Sequence, residues 1–363
     1  MPPAASSASG APSAPPAASS SADAVASAPD DPVAARNREC ERCHEEVAAE
    51  WRGSLHHQAW DDPVFLTAYA IEPLGFCREC HVPEANPFDS APPAALRRLG
   101  IGCVTCHVRD GAVLGVTSLA GSKDGHAVSG DAALGTVQAC ARCHEFDFPE
   151  KQKALMQSTV TEHAASAHAK EPCRDCHMPL VSAPGKAPHR SHDFRVLGNT
   201  TLLRSAVTAR AERLAGDNAT VLVTLAAARI GHDFPTGDMF RRLSVRARVL
   251  GGEGESHAAP RAVVTRQGEG ESPTARAVVL AREFEMVPGK SGIVRKQTGD
   301  KRLPSSGAPR PVRITFSGDV QSRPVHWQVV YQRMSDTMSE MFGVDPAADE
   351  VILAEGTLPA KAP

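Results

Sequence analysis

All ten cysteines of this 363-residue chain lie in five Cys-x-x-Cys-His pentapeptides: Cys40–Cys43–His44, Cys77–Cys80–His81, Cys103–Cys106–His107, Cys140–Cys143–His144 and Cys173–Cys176–His177. The pattern is the attachment signature of haem c. Two thiols three positions apart on a helical turn reach the two vinyl groups of one porphyrin. The next residue then offers its imidazole to the iron as proximal ligand. Paired cysteines also build zinc sites, and exported chains use disulfide scaffolds. Neither alternative requires a histidine at the same offset five times. The expected cofactor is therefore five covalently bound haems c.

Successive motifs start 37, 26, 37 and 33 residues apart, too little protein for five independent folds. The porphyrins are expected to pack together as the core of residues 37–198. Aromatic residues make up only 4% of the chain, which fits an interior filled partly by cofactor. Residues 1–36 are almost wholly Ala, Ser and Pro and read as a disordered tether. That stretch has neither the basic nor the apolar segment of a signal peptide, and nowhere is there an apolar run fit to span a bilayer. Haem attachment in bacteria takes place outside the cytoplasm, so the expected location is periplasmic or extracellular, with an export signal upstream or removed. A net charge of −3 gives no electrostatic case for nucleic acid or an anionic membrane surface.

Five of the fifteen histidines are proximal, and the other ten decide what each iron can do. An iron with two protein ligands transfers electrons, whereas one with an open position binds substrate. Glu45 to Trp60 reads as a helix ending in Ser54-Leu-His56-His57, and Pro149 to Lys170 as a longer helix ending in Ser166-Ala-His168. The shared Ser-x-His favours His56 and His168 over His57 and His163. His126 is the sole histidine between the third and fourth motifs. Of His189 and His192, which follow the fifth motif, His192 is favoured. His232 lies in a Gly- and Pro-punctuated loop, Gly231 to Gly237, placed to reach back to a haem. His257 and His326 read as structural. Met178 follows its own proximal histidine and cannot reach the far side of that haem, and Met156 reads as a gap-filler. Five distal candidates, His56, His126, His168, His192 and His232, thus stand against five irons, which gives bis-histidine coordination throughout.

Residues 37–198 resemble the multihaem cytochrome superfamily that contains hydroxylamine oxidoreductase, pentahaem nitrite reductase and the tetrahaem cytochrome of ammonia oxidisers. The resemblance rests on Trp51-x-x-Ser54-x-His56-x-x-Ala59 after the first motif. It also rests on Met156-Gln-Ser-Thr159 leading to Cys173-Arg-Asp-Cys176-His177-Met178-Pro179, and on His189-Arg-Ser-His192-Asp-Phe194. Nitrite reductases of this group bind substrate at a motif ending in lysine, and all five motifs here end in histidine. Hydroxylamine oxidoreductase uses a cross-linked tyrosine, and neither Tyr69 nor Tyr331 has a matching context. The resemblance implies the electron-transfer branch, while the tetrahaem member keeps one open iron.

From residue 199 the chain turns to period-two alternation, as in Leu243-Ser-Val245-Arg-Ala247-Arg-Val249 and Val325-His-Trp327-Gln-Val329-Val-Tyr331. Val312 to Phe316, Ala219 to Ala228 and Val351 to Ala354 read as further strands, and together they suggest a β-sandwich over 199–363. The expected fold is thus α+β in two domains: a mainly helical multihaem cytochrome c domain, then an all-β sandwich-like domain that caps it and supplies His232. Met334, Met338 and Met341 read either as a partner-facing patch or as one side of a short buried helix. The expected function is electron relay between redox partner proteins, within a membrane-associated cytochrome complex if the β segment is a docking surface. The alternative is a haem enzyme acting on a small nitrogen or sulfur species at one five-coordinate iron.

Overall fold

Asp31 caps the first described helix: its carboxylate accepts the amide hydrogens of Val33 and Ala34 at 2.9 and 3.2 Å, and Pro32 occupies the first helical turn. The computed structural model describes residues 31–121, 125–147, 155–182, 187–251, 274–289 and 292–361. The helix Pro32–Cys43 begins inside the segment expected to be a tether, because the Asp-Pro cap starts it five residues early.

Each Cys-x-x-Cys-His motif lies on a short helix: Pro32–Cys43, Gly75–Cys77 running into Arg78–His81, Cys103–His107, Gln138–His144 and Arg174–His177. Helical geometry brings residues three apart onto one face. The connections are turns and two- to four-residue strands, with Glu45–Arg52, Pro63–Ile71, Ala94–Leu99, the 3-10 turn Ala132–Gly135 and Thr159–Ala164 as the other helices of this half among the described residues. The helix expected over Glu45 to Trp60 stops at Arg52, and the chain turns through Gly53.

The long helix expected over Pro149 to Lys170 is not formed. Residues 148–154 lie outside the described residues. Leu155–Ser158 pairs as a strand with Glu145–Asp147, and only Thr159–Ala164 is helical. The cause is Glu145: one carboxylate oxygen accepts the Val160 and Thr161 amides at 2.9 and 3.1 Å, which starts the helix at that point.

The second half is built from two sheets. One has the order Ala275–Leu280, Arg242–Val249, Val325–Gln332, Glu350–Leu358, and the other Arg310–Thr315, Thr220–Ala227, Val207–Arg213, all antiparallel. Residues of both, including Val221, Val223, Leu225, Leu243, Val245, Ile314, Val329 and Tyr331, share one apolar core. The hairpin Arg282–Gly289 with Gly292–Asp300 forms a separate pair. Arg242–Val249 and Val325–Gln332 are buried on both faces rather than one. Their outer polar residues are satisfied: Arg246 bonds Glu350 at 2.6 Å, Gln328 bonds Glu355 at 2.9 Å and Gln332 bonds Asp336 at 3.2 Å. Asp336 opens the helix Asp336–Met341, of whose expected methionine face Met338 is half-buried and Met341 exposed, while Met334 just ahead of it is buried.

The first half has a much smaller apolar core, built around Trp51, Trp60, Val82, Leu96, Leu99 and Val104. Polar contacts tie the halves together. Glu162 receives Arg302 at 2.7 Å and the Thr236 hydroxyl at 2.6 Å, and Asp62 receives Arg333 at 2.6 Å. Residues 31–363 cluster as one compact unit. Among the described residues no helix is long and apolar enough to cross a membrane.

Candidate haem centres

Where the motif helices end, the chain leaves helical geometry at or just after the motif histidine, and the imidazole projects from the last turn. The thiols of different motifs meet: Cys40 with Cys103, Cys80 with Cys143 and Cys140 with Cys173. A hydrogen bond from its partner thiol holds Cys40 down at about 6 and Cys143 and Cys173 at about 7, while the donors Cys103, Cys80 and Cys140 are pushed up. Motif one therefore adjoins motif three, and motif four adjoins motifs two and five. No disulfide joins any of the ten.

Four motif histidines have a second histidine ring across from them at one recurring distance. His44 faces His126 with ring centroids 6.2 Å apart, His144 faces His56 at 6.4 Å, His107 faces His192 at 6.2 Å and His177 faces His232 at 6.2 Å. Two metal–imidazole bonds of about 2 Å, plus the ring radius of about 1 Å at each end, make about 6 Å. Each gap is thus the width needed for one iron held from both sides, and the residues fit the group.

Hydrogen bonds select the nitrogen that faces the gap. Nδ1 of His107 bonds the Leu114 carbonyl at 2.9 Å and Nδ1 of His192 the Arg190 carbonyl at 2.8 Å. Nδ1 of His232 bonds the Asp233 carbonyl at 3.0 Å and Nδ1 of His126 the Ala127 carbonyl at 3.2 Å. A backbone carbonyl takes the Nδ1 proton and leaves Nε2 as a lone-pair donor. Burial, with neighbouring imidazoles adding to it, brings His56 and His177 down to about 4, and burial likewise lowers His144, His192 and His232. These rings are held neutral, the form that binds metal.

Local contacts separate the neighbouring histidines. His57 packs edge-on against Trp51 with centroids 4.4 Å apart, while His56 faces His144. Gly100 makes this possible: with φ of +59°, it passes so close that a Cβ there would lie 2.4 Å from the His57 carbonyl oxygen. His189 commits Nε2 to Glu50 at 3.1 Å, and the other oxygen of Glu50 accepts the His192 amide at 2.8 Å. Glu50 is a positioning residue without any signal in the sequence.

His168 is not brought opposite a motif histidine. Its Nδ1 bonds Glu171 at 2.9 Å, and its side chain is 35% exposed. The echo with His56 breaks at the serine: Ser54 Oγ accepts the amide three residues on, at His57, whereas Ser166 Oγ accepts the amide two residues on, at His168. His163 is buried beside Gly231. His326 lies on its strand against Thr357 and Glu355, and His257 lies outside the described residues.

The remaining motif histidine, His81 of the second motif, has no histidine ring across from it among the described residues. Phe65 lies flat on its imidazole, 3.6 Å between centroids and 7° from parallel. Its Nδ1 bonds the Ala59 carbonyl, and burial lowers its pKa. Trp60 and Tyr69 complete the aromatic cluster around Phe65, and the Tyr69 hydroxyl accepts Arg78, inside the same motif, at 2.8 Å.

Residues 39–108, which span the first three motifs, match the family model "Cytochrome c554 and c-prime". No curated protein matches the chain. Among solved structures, a penta-haem cytochrome c552 from Thermochromatium tepidum is similar, with a TM-score of 0.67 and 18% identity over 89% of this chain and 98% of that chain. At that identity the likeness is one of mixed α+β fold. The family-model match and the five motifs support a multihaem c-type cytochrome with covalently bound haem c.

Proposed function

We propose that this chain is an extracytoplasmic pentahaem c-type cytochrome whose work is electron relay between redox partner proteins. The observation that carries the proposal is the recurrence of one ring-to-ring distance at four of the five motifs. His44 with His126, His107 with His192, His144 with His56 and His177 with His232 are the pairs that would hold four of the irons. Bound haem c supplies one-electron chemistry at each iron. The chain's own residues fix the imidazole tautomers of His107, His126, His192 and His232 through backbone carbonyls, half-bury His56, His144 and His232, and bring neighbouring motifs side by side. Residues 37–198 are proposed as the haem-bearing segment, and 199–363 as the β segment that closes over it and contributes His232. Bis-histidine coordination places these haems at lower potentials than His/Met ligation would.

A second reading is favoured by His81. With no histidine ring opposite it among the described residues, its iron is the proposed five-coordinate site, at which a small nitrogen or sulfur species would be bound and reduced or oxidised. His168, the fifth distal candidate, is then a surface residue paired with Glu171. The two readings separate by adding carbon monoxide to the fully reduced, haem-loaded protein. Binding at one haem supports the open site. Binding at none leaves the relay alone, and His232→Met then tests the relay, since the His177 haem must acquire a thioether-ligated spectrum.

A further inference from the structure

The residues around the second motif form a connected lock that begins in the β segment. Arg333 follows the strand Val325–Gln332 and donates to Asp62 Oδ2 at 2.6 Å, with both side chains largely buried. The other oxygen of Asp62 accepts the amides of Val64 and Phe65 at 2.8 and 3.1 Å, which caps the helix Pro63–Ile71. Phe65 is the third residue of that helix, and its ring covers the His81 imidazole face to face. The chain just before the cap supplies the Ala59 carbonyl that fixes the same imidazole at Nδ1. The guanidinium of Arg333 is therefore linked through two residues, Asp62 and Phe65, to the ring expected to hold iron. At the other end of the cluster, Arg78 joins Tyr69 to the carbonyls of Asp89 and Ser90. No other motif histidine has an aromatic residue stacked on it in this way among the described residues.

We propose that the Arg333–Asp62 ion pair is a positioning device for the second haem motif: through the helix cap and Phe65 it sets the orientation of the His81 imidazole, and with it the redox properties of that iron. The β segment thereby acts on two of the haem centres, one by offering His232 and the other by this clamp. The proposal rests on the reading that Cys77 and Cys80 carry a haem ligated by His81.

Two ways for Arg333 to influence that haem make opposite predictions. If only its charge matters, Arg333→Met removes a positive charge and lowers the midpoint potential, while Asp62→Asn removes a negative charge and raises it. If positioning matters, both variants break the same link and shift the potential in the same direction. Asparagine keeps the helix cap, so Asp62→Asn removes the ion pair selectively.

The experiment is a spectroelectrochemical titration of the haem-loaded protein, its Arg333→Met and Asp62→Asn variants, the conservative Arg333→Lys, and Phe65→Leu with and without Arg333→Met. Positioning predicts one transition of the five to move, in the same direction for Arg333→Met, Asp62→Asn and Phe65→Leu. It predicts a smaller shift in Arg333→Lys, and a double variant no further displaced than Phe65→Leu alone. Opposite shifts in the two ion-pair variants, or five unmoved transitions, overturn the proposal. If Arg333→Met does not load haem, Arg333→Lys takes its place: positioning predicts a shift in the direction of Asp62→Asn, and charge alone predicts none. Mass spectrometry of the peptide containing Cys77 and Cys80 separates the two failures. A peptide without haem defeats the underlying reading and the clamp with it, whereas a haem-bearing peptide with unmoved potentials defeats the clamp alone.

Discussion

A histidine serves as an axial ligand only if its surroundings decide which nitrogen is free, and that decision is made by single hydrogen bonds. His189 and His192 are three residues apart and chemically identical, yet Nε2 of His189 is spent on Glu50 while His192 directs its Nδ1 to a carbonyl and faces His107. The expected outcome is that His192→Met converts one haem to His/Met ligation and raises its potential, while His189→Gln leaves every ligand in place. Ultraviolet–visible spectra and redox titration of the two variants check this. The sequence sets His189 and His192 side by side after the fifth motif without a local feature that separates them, and the contact that does separate them, His189 with Glu50, spans 139 residues. His168 differs from His56 for a local reason: a serine two residues before a histidine gives one backbone geometry at Ser54 and another at Ser166.

Among the elements, the short helix Thr159–Ala164 shows most clearly how tertiary contacts override local pattern. Its sequence continues a helical periodicity, but Glu145 starts it late and Glu162 anchors it to the β segment through Arg302, Thr236 and Ser158. Burial alone would push the Glu162 carboxyl up. Arg302 and the two hydroxyls outweigh that and hold it below the usual carboxylate range. Breaking this buried pair by Glu162→Ala is expected to cost about 3–5 kcal/mol, read from denaturant unfolding. Because the folded-state pKa is depressed, the contribution is full above the unfolded value of about 4.3 and disappears as pH falls through the folded value. The wild-type protein therefore loses stability over that acid window, and Glu162→Gln flattens this part of the pH profile. Equal acid sensitivity in the two proteins would contradict the assignment.

Taken as a whole, the molecule divides unevenly in what holds it together. The β segment has an extensive apolar core of its own, and its strands were legible from alternation because one face of each strand had to be buried. What alternation could not reveal was burial of the second face, which depends on polar partners such as Glu350 and Glu355 from a distant strand. The first half has a small core around Trp51 and Trp60, and the motif spacing already indicated that cofactor must fill the remainder. Protein made without haem attachment is expected to show amide-exchange protection across the strands between residues 207 and 358 and little across 32–182. Uniform protection would mean that the haems are not the core of that segment. The central proposal is that four irons are held between paired histidines, with the iron at His81 open in the second reading. Its most direct test is low-temperature EPR of the oxidised, haem-loaded protein, integrated against total haem iron. The proposal predicts at least about four-fifths of the iron low-spin with bis-histidine signatures, and any high-spin remainder no more than about one-fifth; a larger high-spin share would contradict it.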